Sequence, residues 1–267
     1  METIKDLYAI PNYTCNLNCP HCTLSKIQEK YNEKSFIDTL KNINAEQITL
    51  FGGEPLLYKE TFKKIVKTNK ITSISTNLLL LDDEIIQYLK TYNISIATSW
   101  NKTRFTKAQY NTWIANLKTL ENNNLDCIIL VTLTEDLISL DLNNFLSILK
   151  DLNQIKSITG ILFEQLVDNS KNKVFYEKVD KWLYNITKCW QFSFKNLILD
   201  KIKHWNCDCT KTYTLTPNGT LRKGCPQYTL QYLRNECLTC KLANICRPCI
   251  LQKECTFPKK LYNAISK

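Results

Sequence analysis

Along the first 190 residues, two kinds of apolar pattern take turns. Short runs of alternating or wholly apolar residues predict strands at Leu7–Asn12, Gln47–Phe51, Ile71–Thr76, Ile94–Ser99, Cys127–Leu133 and Ser157–Phe163. Stretches with apolar residues every third or fourth position predict a helix after each: Ser35–Ile43, Lys59–Thr68, Asp82–Thr91, Thr106–Leu120, Leu140–Leu152 and Asn172–Thr187. Asp82, followed by Asp83 and Glu84, reads as a helix cap with acidic residues in the first turn. Six strand-then-helix units with short connections predict parallel strands and right-handed crossovers. Six are too few to close an eight-stranded barrel, so the expected class is α/β, an open partial (β/α)6 barrel of the TIM type. The loops after the strands then gather on one face, where such barrels place their chemistry.

Beyond about Leu199 the pattern changes. Helical periodicity fades, and turn signals appear at Thr216-Pro217-Asn218-Gly219 and Lys223-Gly224-Cys225-Pro226. The expected division is a barrel over residues 1–195 and a small cysteine-rich extension over 196–267. That extension has too little apolar content for a core of its own and needs metal to fold.

Cysteine usage sharpens this picture. Of 13 cysteines, three lie at 15–22 and eight between 207 and 255, with only Cys127 and Cys189 between the groups. The opening Met1-Glu2-Thr3-Ile4-Lys5-Asp6 has no apolar core of a signal peptide, and no apolar run is long enough to span a bilayer. The expected compartment is the cytoplasm, where thiols serve metals or catalysis rather than a disulfide framework. The formal charge of +10 fits a solvated basic surface better than a nucleic-acid groove. Glycine is scarce, five in all, so asparagine is expected to take left-handed turn positions, and the adjacent Gly52 and Gly53 stand out.

Two motifs carry chemistry. Cys15-Asn16-Leu17-Asn18-Cys19-Pro20-His21-Cys22 places three thiols, spaced C-x3-C-x2-C, on the loop after the first strand. A [4Fe–4S] cluster normally takes four thiolates, so three leave one iron open to a small molecule. Zinc is the competing reading, with His21 as a further donor, but no matching second half lies close by. Phe51-Gly52-Gly53-Glu54-Pro55 ends the second strand: glycines allow close backbone approach, Glu54 offers a carboxylate to an ammonium group, and Pro55 fixes the turn.

Together these residues resemble the radical SAM superfamily, whose cluster motif and GGEP motif they match. The resemblance covers residues 1–190, because that superfamily uses a partial (β/α)6 barrel. It implies that Cys15, Cys19 and Cys22 hold a [4Fe–4S] cluster. It implies further that S-adenosylmethionine chelates the open iron, with Gly52, Gly53, Glu54 and Pro55 at its methionine ammonium. Reductive cleavage then yields a 5′-deoxyadenosyl radical that takes hydrogen from a substrate. An electron donor such as flavodoxin or ferredoxin is implied. Ser75-Thr76-Asn77 resembles the family's segment facing the S-adenosylmethionine, and Ser99 stands where the family often has a serine near the ribose. Here Trp100-Asn101 replaces the common Leu-Asp-Gly after it.

The C-terminal cysteines resemble the SPASM extension of these enzymes, which carries two auxiliary [4Fe–4S] clusters. By position, Cys207, Cys209, Cys225 and Cys249 would hold one, and Cys237, Cys240, Cys246 and Cys255 the other. Two spacings depart from the family: G-x5-C from Gly219 to Cys225, and C-x5-C-x2-C from Cys240 to Cys249. With three clusters bound on eleven thiolates, the net charge falls to about +5. Zinc on Cys237, Cys240, Cys246 and Cys249 is the alternative.

Cys127 lies in phase with Ile129 and Val131, as a buried structural cysteine does; its sharper reading is a thiol hydrogen donor to a substrate radical. Cys189 beside Trp190 is open to the same two readings, and Glu164-Gln165 reads either as a strand end or as a substrate contact. His21 and His204 form no evident acid–base pair.

The leading expectation is a peptide- or protein-modifying radical enzyme that crosslinks, epimerises or oxidises. A small-molecule or nucleotide substrate stays open, since no peptide-recognition domain precedes the barrel. A zinc-bearing nucleic-acid-binding module is the reading from another class, and it leaves the strand–helix units and Gly52–Pro55 unexplained.

Overall fold

The computed structural model describes residues 4–22, 24, 27, 29–101, 103–165, 178, 182 and 211–224. Its ordered elements begin with β1 (Ile4–Ala9), α1 (Glu33–Asn42), β2 (Ala45–Leu50), α2 (Lys59–Val66), β3 (Ser73–Thr76) and α3 (Asp83–Thr91). They continue with β4 (Ser95–Trp100), α4 (Lys107–Asn122), β5 (Cys127–Leu133), α5 (Glu135–Ile138), α6 (Leu142–Leu152), β6 (Ile158–Gln165), β7 (Thr212–Leu215) and β8 (Leu221–Lys223).

One sheet runs β6-β5-β4-β3-β2-β1-β7-β8. From β1 to β6 every neighbouring pair is parallel and the order never reverses. Successive right-handed crossovers with no reversal put all the helices on one face, as in a partial TIM barrel rather than a doubly wound sheet. The strands show it: Leu7, Ala9, Ile48, Leu50, Ile74, Ile96, Ile129 and Val131 bury into one core with Phe36, Phe62, Leu89, Trp113 and Phe145 of the helices. The alternate positions on the other face, such as Tyr8, Ser75, Ala97 and Ser99, are only half-buried.

Local signals place the helices. The Asn32 side chain accepts from the Ser35 N–H, and Asp82 accepts from the Ile85 N–H, each satisfying a donor of the first turn. Thr106 and Gln109 form a reciprocal capping box at the start of α4. Asn69, Asn93 and Asn124 take positive φ, so asparagine does serve as the left-handed turn residue here.

The first strand runs Ile4–Ala9 rather than the expected Leu7–Asn12, other element ends shift by smaller amounts, and two larger features differ from the sequence expectation. The helix expected from Leu140 starts at Leu142, behind a separate short α5, because Asp141 caps it by accepting from the Asn144 N–H. Residues 211–224, inside the expected extension, form a hairpin whose first strand pairs parallel with β1 and antiparallel with β8. Its turn packs on α1: the Asn32 N–H donates to the Pro217 carbonyl and the Thr39 hydroxyl to the Gly219 carbonyl, at 2.9 and 3.1 Å. Gly219, at φ +87°, is required there, since a Cβ would lie 2.1 Å from the Ser35 Oγ. The 195/196 boundary, the helix expected at 172–187, Cys189, and the proposed ligands Cys207, Cys209, Cys225, Cys237, Cys240, Cys246, Cys249 and Cys255 lie outside the described residues, as does His204. Among the described residues no helix is long and apolar enough to cross a membrane.

Candidate active site

The three-cysteine loop leaves the end of β1, and the glycine pair leaves the end of the adjacent β2. Their backbones dock directly. The Gly53 N–H donates to the Asn12 carbonyl at 3.1 Å and the Glu54 N–H to the Thr14 carbonyl at 2.9 Å, continuing the ladder begun by Phe51 N–H to Ala9. Glycine is required by this contact: a Cβ on Gly52 would sit 2.5 Å from the Asn12 oxygen, and one on Gly53 2.1 Å from the Thr14 oxygen. The close approach the structure shows is therefore to the segment carrying Cys15.

Glu54 is fully buried. Its Oε1 accepts from the Leu56 N–H at 3.0 Å and from the Thr76 hydroxyl at 2.7 Å, while Oε2 accepts from the Asn77 N–H at 2.7 Å. The carboxylate offered by sequence to an ammonium group is thus turned inward, and it ties the end of β2 to the end of β3. Burial pushes its pKa up, against the donors from Asn77, Leu56 and Thr76 and the charge of Arg104. Pro55 is buried beside it.

Asn77 carries the connection on to the cysteines. Its Nδ2 donates to the Asn16 Oδ1 at 2.6 Å and lies 3.7 Å from the Cys15 Sγ, and its Oδ1 accepts from the Leu79 N–H. The Cys15 sulfur also accepts from the Leu17 N–H at 3.4 Å. N–H groups aimed at a sulfur favour its anionic, metal-bound form. Cys15, Cys19 and Cys22 are each half-buried. Burial raises the thiol pKa of Cys15 and Cys19, and Arg104 opposes it in both. Burial and Arg104 together lower the pKa of His21, against Asp136, so the imidazole favours its neutral form.

Ser99 lies half-buried on the face of β4 opposite Thr98 and Trp100. The Trp100-Asn101 departure has a local reason. Asn101 is buried, its Nδ2 donating to the Thr132 carbonyl and the Thr134 hydroxyl, so it staples the end of β4 to the end of β5. Cys127 points into the helix-facing core with Ile129 and Val131, 1% exposed, and burial pushes its thiol up to about 12. The sequence does not single out Asn12 or Asn16, whose roles come from loops meeting in space.

Residues 10–139 match the radical SAM superfamily model. This stretch of the chain is similar to the radical SAM superfamily. Over 254 residues the chain is 26% identical to the radical SAM cyclopropyl synthase TigE of Paramaledivibacter caminithermalis, covering 75% of this chain and 52% of that protein. The chain thus spans about half the length of this curated relative. In fold the chain resembles native anSMEcpe with bound AdoMet, at TM-score 0.68 and 17% identity over 97% of this chain and 96% of that one. It also resembles Streptococcus suis SuiB bound to its precursor peptide SuiA, at TM-score 0.58 and 15% identity, over 85% of this chain and 60% of that one.

The residues present fit the iron–sulfur cluster that the superfamily match implies. The donors are three thiols on one loop, and N–H groups already point at the Cys15 sulfur. Among the described residues no group of three or more His, Cys, Asp or Glu side chains is placed to hold a single metal ion. A cubane instead binds each thiolate through a different iron. Asn77→Asp is expected to lower the iron loaded at this loop below that of Asn77→Ala, because a carboxylate would replace the amide N–H beside Cys15. Iron per chain after identical anaerobic reconstitution checks it.

Proposed function

We propose that the chain is a radical SAM enzyme of the SPASM type that modifies a peptide or protein. The carrying observation is the docking of the Gly52–Glu54 backbone onto residues 12–14, with the Asn77 amide on Cys15. In this reading Cys15, Cys19 and Cys22 hold a [4Fe–4S] cluster. Gly52, Gly53, Pro55, Thr76, Asn77 and Ser99 surround S-adenosylmethionine, and Glu54 holds that wall in place from behind. Bound together, the two cofactors supply one-electron cleavage of a sulfonium C–S bond and a carbon radical that removes a hydrogen atom from substrate.

The protein's own part is placement. Glu54 fixes Thr76 and Asn77 against the cysteine loop, and Asn101 fixes the next loop along. The electron comes from an external donor of the flavodoxin or ferredoxin class. A peptide substrate draws support from the solved relatives captured with peptides, SuiB with SuiA and anSMEcpe with Kp18Cys peptide. The eight cysteines from Cys207 to Cys255 support auxiliary clusters in the cysteine-rich segment 196–267, whose 211–224 hairpin joins the barrel sheet. Such clusters would accept or relay the product electron.

Anaerobic reconstitution with iron, sulfide, S-adenosylmethionine and dithionite is expected to give 5′-deoxyadenosine, and Cys15→Ala, Cys19→Ala or Cys22→Ala to abolish it. A well-loaded wild-type protein that makes none would end the reading. Incubation with candidate peptides, read by mass shift, tests the substrate class separately.

A further inference from the structure

The loop that carries the three cysteines has a neck, and the 211–224 hairpin holds it at both ends. Where the loop starts, the Ile10 N–H donates to the Leu215 carbonyl at 2.9 Å. Where it ends, the Asn32 N–H donates to the Pro217 carbonyl, also at 2.9 Å. Between these points the loop folds on a small core of its own, Ile10, Tyr13 and Leu24, with Cys22, Ile27 and Phe51 packed against it.

One side chain joins the two sides of the neck to each other and to the hairpin. The Glu29 Oε2 accepts from the Tyr13 hydroxyl at 3.1 Å, across 16 residues of chain. Its Oε1 lies 3.3 Å from the Thr216 hydroxyl and 3.9 Å from the Arg222 guanidinium. Thr216 follows β7 directly and Arg222 lies in β8. The Thr216 hydroxyl has a nearer acceptor in the Asn218 Oδ1, at 2.9 Å, which leaves the Arg222 charge as the main hold on Glu29 from the hairpin side. The Glu29 and Arg222 side chains are each only 16% exposed. A pair so enclosed is screened little by salt, and removing one member strands the other charge. A loop already closed at its neck also has less freedom to lose when its thiols are drawn onto a metal.

We propose that Glu29 is a positioning residue that, through Tyr13 and Arg222, ties the state of the three-cysteine loop to that of the hairpin leading into Cys225. Thiols gathered on a cluster fix the neck against Glu29, which steadies the hairpin. By linkage, a steady hairpin favours loading of the loop to the same degree. No bond is made or broken at Glu29. The metal part of this inference rests on the cluster reading above, and its test separates the two.

The full chain is reconstituted anaerobically with iron and sulfide, and hydrogen exchange of residues 211–224 is followed by mass spectrometry. Their amides include those of Thr216 and Gly224, bonded to the Thr220 and Thr212 carbonyls. Wild type is compared with the triple variant Cys15→Ala/Cys19→Ala/Cys22→Ala, so that iron on the C-terminal cysteines is common to both. The hairpin is expected to exchange about tenfold more slowly in wild type, a difference absent when both are iron-free. Glu29→Ala and Arg222→Met are each expected to shrink that difference to within about twofold. A difference that survives in either folded variant, that shows without iron, or that wild type lacks although its loop is loaded would overturn the coupling. Iron per chain decides the loading: equal iron in wild type and the triple variant would end the cluster reading. Glu29 is then judged on the iron-free chains, where Glu29→Ala and Arg222→Met are expected to exchange the hairpin about tenfold faster than wild type, and unchanged exchange overturns its role. Circular dichroism accompanies each variant. The two act from opposite sides of one ion pair, so a poorly folded Glu29→Ala leaves Arg222→Met to decide.

Discussion

Gly53→Ala is expected to cost the protein about 3–5 kcal/mol and most of its iron. The new methyl would lie 2.1 Å from the Thr14 oxygen, 2.5 Å from the Thr14 carbonyl carbon and 2.6 Å from the Tyr13 carbonyl carbon. All three are backbone atoms, so no rotamer change relieves the clash. The two strands' ends must separate, which breaks the bonds from Gly53 N–H to Asn12 and from Glu54 N–H to Thr14. Each is worth about 1 kcal/mol net, and the overpacking adds about 1–3 kcal/mol. The displaced segment is the one that ends in Cys15, so stability and metal loading should fall together. Asn18→Ala, exposed on the same loop, is expected to change stability by less than about 0.5 kcal/mol. Urea unfolding under argon and iron per chain measure both. A Gly53→Ala protein with the wild-type midpoint and full iron would show that this backbone contact is not made.

The site was legible in the sequence where its chemistry is contiguous. Cys15 to Cys22 and Phe51 to Pro55 each lie within one loop, and each follows a strand whose apolar pattern is plain. The six parallel strands were legible for the same reason, since alternation and helical period are properties of short windows. Strand β5, Cys127–Leu133, matches its predicted limits because its burial alternates without interruption. The hairpin was harder to see. Thr-Tyr-Thr-Leu, a Pro-Asn-Gly turn and Leu-Arg-Lys hold a hairpin signal, but the strands are four and three residues long. What stabilises β7 is pairing with β1 at the far end of the chain, which no local window reports.

Orientation was the other thing hidden. Sequence places Glu54 at a strand end and suggests a carboxylate offered outward. The structure turns it inward because donors from Leu56, Thr76 and Asn77 converge there. Thr76 and Asn77 were singled out for facing a cofactor, and their visible work is to hold that carboxylate and the loop of Cys15. Asn101 looked like a departure from a pattern, and it is a staple between neighbouring strand ends.

Glu54→Gln is expected to destabilise the protein by about 2–4 kcal/mol, and by more at low pH than at neutral pH. An amide has one acceptor oxygen, whereas a carboxyl group keeps acceptor lone pairs on both oxygens whether protonated or ionised, so at least one of the donors from Leu56, Thr76 and Asn77 faces an N–H2 instead. The pH dependence follows from the direction of the shift. Burial raises the folded-state pKa of Glu54 above its ordinary value of 4.5. As pH rises through that ordinary value, the unfolded chain releases the proton while the folded chain still holds it. The folded state then binds more protons than the unfolded state, so the wild-type protein loses stability over this interval until the folded pKa is passed. Glutamine does not titrate, so the variant lacks this term. The gap between the two proteins should therefore narrow as pH rises from about 4 to about 7, while carboxylates common to both, such as Asp82 and Glu84, cancel in the difference. Paired urea titrations across that range measure it. A gap that widens with pH would mean that the three donors outweigh burial and hold Glu54 ionised, which would make it a fixed negative charge beside the cysteine loop.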